Sequence, residues 1–254
     1  MCKKRAAKLH DVSLFWQPES SHVGDCPICL LPLPLDIKKS NMMGCCCKLI
    51  CNGCDYANTI RELKGRLEQK CPFCQHHVPK TQAEIDKNKM KRVEANNPVA
   101  LCGMGAKHDQ EGNYDTAFKY WAKAADLGDV MAHYNLSVMY REGEDIEKDE
   151  EMESYHLEQT VIAGHPDARY NLGCHEGERG RFDRAVKHFI IAANLGHGGS
   201  LKALQQCYVN GQLSKEDFAA ALRAHQAPSC RRCNEKSTEG GSRKSRGGRR
   251  EGDE

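Results

Sequence analysis

Four groups of cysteines between Cys26 and Cys74 constrain this chain more than any other feature. They are Cys26-Pro-Ile-Cys29, the run Cys45-Cys46-Cys47, Cys51-Asn-Gly-Cys54 and Cys71-Pro-Phe-Cys74. Unpaired cysteines are common in protein cores, but packing does not demand paired spacing. A C-x-x-C pair puts two thiolates on one tight turn, where both reach a single tetrahedral zinc at about 2.3 Å. Two zincs need four ligand pairs, and four are present, with one thiol of the triple run to spare. A thioredoxin-type redox site has one such pair beside a βαβ pattern, which is not the arrangement here.

The order of the groups, with the second close before the third, resembles the interleaved cross-brace of a RING finger in an all-cysteine form. That resemblance implies that Cys26, Cys29, Cys51 and Cys54 hold one zinc, and that Cys71 and Cys74 form half of the other site. The second pair has two solutions. Cys45 with Cys47 gives the usual RING spacing, whereas a group of algal RING proteins that the chain resembles shows a Cys-Cys-Gly-Lys-x-Ile-Cys run. Laid over this sequence, that run selects Cys45 and Cys46 and puts Cys47 in the glycine slot. The expected set is therefore Cys45 and Cys46, with Cys47 the alternative. Catalytic zinc keeps one position open for water; with thiolate available for every position, both zincs are expected to be structural. The segment Gly24–Val78 has few large apolar residues and is expected to need metal to fold.

The resemblance also implies a partner. RING fingers grip a ubiquitin-conjugating enzyme through an apolar residue inside the first C-x-x-C and a proline inside the last. Ile28 and Pro72 match those positions, and Leu30 or Leu31 extends the apolar patch. Many active RING ligases carry arginine just after the final cysteine; here the residue is Gln75, which donates hydrogen bonds but has no charge. Between the third and fourth groups, Tyr56, Ile60, Leu63 and Leu67 fall at helical spacing. They are expected either to pack this helix on the zinc loops or to meet a partner.

At 254 residues the chain is expected to hold two domains plus tails. Its formal charge of +2 gives no global bias toward nucleic acid or membrane, and no apolar run of about 18 residues could span a bilayer. No apolar stretch like that of a secretory signal follows the basic start. With fifteen cysteines and no such signal, C-x-x-C pairs read as metal sites in a reducing compartment, cytosol or nucleus.

Beyond Pro98 a repeat appears when glycines are aligned: Gly128, Gly164 and Gly196 stand 36 and 32 residues apart. In that register Ala100, Ala132, Ala168 and Ser200 form a column of small residues. Met104, Leu136, Leu172 and Leu204 form a second, and Trp121, Leu157 and Phe189 a third. Small residues let helices approach and large ones fill the space between units, so stacking is obligatory and an α-solenoid results. The period suits tetratricopeptide repeats, but Tyr134-Asn-Leu136-Ser-Val-Met-Tyr140-Arg-Glu-Gly143, Ile146-Glu-Lys-Asp149 and Ala-Gly164-His165-Pro-Asp-Ala168 resemble Sel-1-like repeats. The first and third units lack the loop with Asp149 and are expected to be degenerate. No catalytic motif appears among His133, His156, His165, His175, His188 and His197. Cys102, Cys174 and Cys207 are isolated.

The expected organisation is a flexible tail over 1–21, a RING-type zinc finger over 22–79, a charged helical linker over 80–97, a Sel-1-like solenoid over 98–226 and a disordered basic tail over 227–254. Leu14-Phe15-Trp16 stands out in the first tail, as something that packs on the RING or docks elsewhere. Arg243–Arg250 is basic, but acids follow it and nucleic acid is not the expected partner. The expected function is ubiquitin ligation, with the RING recruiting the conjugating enzyme and the solenoid the substrate. The alternative is a non-catalytic zinc-binding scaffold.

Overall fold

The computed structural model describes residues 11–16, 22–143 and 146–226. Most of both expected tails, including Arg243–Arg250 and the Cys230–Cys233 pair, lies outside the described residues. Among the described residues no helix is long and apolar enough to cross a membrane.

The cysteine module begins after a short helix, α1 (residues 11–15). Strand β1 (Ser40–Met42) pairs antiparallel with β2 (Leu49–Cys51), Ser40 standing opposite Cys51. Helix α2 (Asn52–Gly65) follows β2 directly. The apolar centre consists of Leu33 and Ile50 around buried Cys26. So small a core gives little hydrophobic stabilisation for a module of this length.

The expected apolar face of α2 is not what holds it. Tyr56 and Leu63 are 69% and 65% exposed, and Leu67 lies beyond the helix in solvent. A polar clasp does the work instead. The buried Glu62 carboxylate accepts from Lys70 N–H at 2.9 Å and from the Asn58 side chain at 2.9 Å. The same Asn58 amide reaches the Lys70 carbonyl at 3.2 Å, so α2 pins the segment that enters the last cysteine pair.

Helix α3 (Gln82–Glu94) has no fully buried residue, as its mixed charge predicts, and Thr81 caps its start. It is nevertheless more than a spacer. Arg92 donates to the Cys45 carbonyl at 3.3 and 3.2 Å, and Lys89 donates to the Gly103 carbonyl at 2.9 Å. Its charged face therefore joins the cysteine module to the helices that follow.

Those helices are α4 (Pro98–Gln110), α5 (Tyr114–Asp126), α6 (Val130–Glu142), α7 (Glu150–Ile162), α8 (Pro166–Glu178), α9 (Phe182–Asn194), α10 (Gly198–Val209) and α11 (Lys215–Gln226). They pack as the pairs α4–α5, α6–α7 and α8–α9, each pair against the next, with α10 and α11 closing on α9. All three expected columns lie in the interior. Packing explains a fourth column. A Cβ on Gly105 would meet Trp121 at 2.4 Å, and one on Gly173 would meet Phe189 at 2.7 Å. At the equivalent place Ser137 lies across from the smaller Leu157 column position. The largest side chains thus sit where the facing helix offers no side chain at all.

Gly128, Gly164 and Gly196 have φ of +84°, +86° and +92°, the left-handed geometry that ends a helix. The next residue in each case stands at the N-cap position of the following helix. Asp129 accepts from Ala132 N–H at 2.8 Å and His165 Nδ1 from Ala168 N–H at 3.3 Å, while His197 contacts Ser200 Oγ at 2.8 Å. Capping of a backbone amide therefore explains one solenoid histidine, His165, while His197 at the same position bonds the Ser200 hydroxyl instead.

Residues 11–16 are not the flexible tail expected: Leu14 docks on the solenoid, fully buried among Leu157, Val161, Ala168 and Leu172. Arg169, 0% exposed, donates to the carbonyls of Leu14 at 2.7 Å, Trp16 at 3.4 Å and Val161 at 2.9 Å. Arg184 pairs with Asp11 and lies 5.3 Å from the centre of the Phe15 ring, with Lys187 Nζ at 5.4 Å.

Candidate functional site

Three turns of the cysteine module share one backbone design. Cys26 N–H donates to Leu31 O and Leu30 N–H to Cys26 O; Cys71 N–H donates to His76 O and Gln75 N–H to Cys71 O. Met43 N–H to Lys48 O and Cys47 N–H to Met43 O repeat the pattern. In each turn the residue after the second cysteine is left-handed, with φ of +57° at Leu30, +55° at Cys47 and +59° at Gln75. By that correspondence Cys46 takes the place of Cys29 and Cys74, and Met43 the place of Cys26 and Cys71. Cys47 takes the position where glycine is at ease. The sequence signal for this turn was the glycine slot of the algal pattern; Met43 carried none.

The turns interleave. Cys26, Cys29, Cys51 and Cys54 gather their sulfurs within 4.8 Å of one another, and so do Cys45, Cys46, Cys71 and Cys74. Tetrahedral coordination at about 2.3 Å sets sulfur–sulfur edges of about 3.8 Å. The distances Cys29–Cys51 of 3.8 Å and Cys46–Cys71 of 3.9 Å meet that value, while Cys45–Cys74 is tighter at 3.3 Å. All eight thiols are free. The two tetrads are thus of a size and shape to hold metal ions, and the all-thiolate donor set suits zinc.

Electrostatics within each tetrad point the same way. Burial raises the Cys26 thiol, but the amides of Cys29, Cys51 and Ile28 outweigh it and bring it down to about 6. In Cys74 burial is likewise overcome, first by the His76 amide, and the thiol falls to about 6. Cys29, Cys45 and Cys54 are pushed up, and Cys46 to about 11, by burial and by neighbouring thiols. One thiolate per tetrad forms readily and further ones repel it. A dication among them removes that conflict, because coordinated thiols lose their protons outright.

Cys47 belongs to neither tetrad. It is buried, and burial raises its thiol while Arg92 and Lys89 of α3 act against this. Of the other expected contacts, Ile28 is 40% and Leu30 76% exposed on the first turn. Pro72 is half-buried on the last turn and Phe73 beside it is exposed. Gln75 is exposed, with its side-chain amide donating back to the Pro72 carbonyl at 3.1 Å.

The solenoid histidines assemble no metal site among the described residues. His156 and His188, in the column that also holds Tyr120, are buried. His133 Nδ1 and His156 Nδ1 meet at 2.9 Å beneath Tyr155.

Comparison with known proteins bears on the helical half. The family model described as Sel1 repeat matches residues 98–129, 130–156 and 166–197, so the first and third units are matched along with the second. No RING family match accompanies it. Over 51 residues the chain is 41% identical to "Putative beta-lactamase HcpC" of Helicobacter pylori, from two strains. That alignment covers 20% of this chain and 18% of the relative, so the chain spans under a fifth of that protein's length. Among solved structures, a Sel1 repeat protein from Oxalobacter formigenes is 25% identical with a TM-score of 0.44, covering 50% of this chain and 99% of that one. The structure of c5321, a protective antigen of uropathogenic Escherichia coli strains displaying an SLR fold, is 19% identical with a TM-score of 0.51. It covers 58% of this chain and 34% of that chain. Residues 98–197 therefore carry Sel1 repeats in a helical-repeat solenoid, a type of surface suited to protein–protein interaction.

Proposed function

We propose that the cysteine module is a RING-type zinc finger holding two structural zinc ions, and that the protein is a ubiquitin ligase. In this reading Cys26, Cys29, Cys51 and Cys54 bind one zinc, and Cys45, Cys46, Cys71 and Cys74 the other. The supporting observation is the interleaving: first group with third, second with fourth, on three turns of one backbone design. Ile28, Leu30, Pro72 and Gln75 form the contact surface for the conjugating enzyme, and the solenoid receives the substrate. A RING forms no covalent intermediate; it brings a charged conjugating enzyme and an acceptor into reacting distance, which is where its rate gain lies. Free thiols throughout the module suit a reducing compartment, cytosol or nucleus.

One observation favours a second reading, a zinc-stapled scaffold without transfer activity. Gln75 replaces the arginine of many active ligases, and its amide is turned back onto Pro72 rather than outward. Autoubiquitination and discharge of ubiquitin from a panel of charged conjugating enzymes separate the two. Ligase action predicts product with at least one enzyme, and at least about tenfold less in Ile28→Ala, the loss of roughly one buried apolar contact. No product with any enzyme selects the scaffold.

A further inference from the structure

The place where α1 docks recurs one repeat earlier, and there it is open. A cleft of about 410 Å³ is lined by Ala125, His133, Leu136, Met152, Tyr155 and His156, among others. Shifted by the repeat, these six positions are Val161, Arg169, Leu172, Arg184, Lys187 and His188. Those are residues that hold α1. Leu14 packs on Val161 and Leu172, Arg169 grips its carbonyl, and His188 lies 4.7 Å from the Phe15 ring. The polar lining is repeated in place though not in kind: Arg169 reaches the Val161 carbonyl, and at its position in the open cleft His133 Nδ1 meets His156 Nδ1 at 2.9 Å. The two clefts are therefore one structural site, once filled by the chain's own segment and once, among the described residues, left open.

We infer that the open cleft between α5, α6 and α7 docks a short helical segment of a partner protein, one that carries adjacent leucine and aromatic anchors together with a basic residue. The anchors follow from the filled cleft, where Leu14 and Phe15 occupy the matching space. Its volume lies within the range of about 300–1,000 Å³ usual for ligand sites. The change of charge follows from the substitutions. Around α1, Arg184 and Lys187 flank Phe15, and Arg184 pairs with Asp11. The open cleft has Met152 and Tyr155 at those positions, and it adds the carboxylate of Asp126 where the other has Ile162. An acidic residue in the place of Asp11 would find no cation there, whereas a lysine would find Asp126. Met152, Tyr140 and Phe118 give an aromatic anchor sulfur and ring partners.

The inference rests on reading the repeats as a protein-binding surface and does not depend on ubiquitin transfer. The test is fluorescence anisotropy of the whole zinc-loaded chain with a labelled octapeptide, His-Lys-Val-Ser-Leu-Phe-Trp-Gln, which copies residues 10–17 with lysine for the acid. Saturable binding is expected, at least about tenfold weaker in Ala122→Trp, which fills the cleft. The same loss is expected in Tyr155→Ala, which removes a half-exposed ring, and for a peptide with alanine in place of both anchors. Ile28→Ala should leave the affinity unchanged while lowering ubiquitin discharge, so the two readings fail separately. No binding up to about 1 mM peptide, a limit near −4 kcal/mol, overturns the inference. So does binding that both cleft variants leave intact. Self-association of the chain that Ala122→Trp abolishes would assign the cleft to a second copy, and overturns it likewise.

Discussion

The cysteine module and the solenoid meet the same requirement, an ordered backbone with few large apolar residues to spare, by different means. The module buries Leu33 and Ile50 and little else of size, and depends on two clusters of thiols that repel one another when charged. The solenoid buries four columns of matched small and large residues over about a hundred residues, with every unit completing its neighbour. The contrast teaches where each half is vulnerable. With zinc bound as proposed, stability in the module would be concentrated in eight sulfur atoms, whereas in the solenoid it is spread over contacts that no single residue dominates.

Metal removal should separate them most. In zinc-finger peptides a structural zinc contributes about 10–16 kcal/mol of apparent binding energy that is also folding energy. Chelation should therefore unfold the module and leave solenoid helicity in place, read by circular dichroism alongside limited proteolysis between residues 22 and 79. Collapse of all helicity on chelation would show that the joint through Arg92 and Lys89 makes the halves one cooperative unit.

Acid should act in the opposite sense, on the solenoid's histidines. Burial, and for His156 the neighbouring His133, holds His156 and His165 down to about 4; burial and then Arg169 hold His188 down to about 3. A histidine depressed in the folded state binds fewer protons there than in the unfolded chain. Stability is thus fully present above about pH 6.5 and is lost as pH falls toward 4. The summed loss should be on the order of several kcal/mol, at about 1.4 kcal/mol per unit of depression. A melting temperature unchanged between pH 7 and 4.5 would contradict the burial of these rings.

A single core truncation is next in size. Leu136→Ala should cost about 2–5 kcal/mol in denaturant unfolding followed by helicity, with zinc content unchanged. Gly105→Ala tests the small-opposite-large column more narrowly, since its methyl meets the Trp121 ring; a loss of about 1–3 kcal/mol is expected for such overpacking.

The smallest effect belongs to Cys47→Gly. Its φ of +55° suits glycine, so the change should leave stability within about 1 kcal/mol of the parent.

Much of this contrast was legible in the sequence, for a physical reason. Metal coordination and helix stacking both impose spacing, so the cysteine pairs and the alanine, leucine and aromatic columns could be read directly. Spacing alone left Cys46 and Cys47 open, because three adjacent thiols satisfy either; the algal pattern favoured Cys46, and the structure gathers Cys45 and Cys46 with Cys71 and Cys74. Of the two roles open to the apolar residues of α2, packing on the zinc loops is not taken by Tyr56 and Leu63, which stay in solvent, while Asn58 and Glu62, polar and unremarkable in sequence, hold the helix. Leu14 finds its partners some 150 residues away, and no local pattern encodes such a contact. The open cleft was hidden for the same reason, since it exists only once α5, α6 and α7 have stacked.

Zinc stoichiometry in three chains, the parent, Cys46→Ser and Cys47→Gly, tests the two-zinc cross-brace most directly. Two zinc ions per chain in the parent and in Cys47→Gly, with the second site weakened or lost in Cys46→Ser, is the predicted result. Full zinc in Cys46→Ser with loss in Cys47→Gly, or fewer than two ions in the parent, would contradict it.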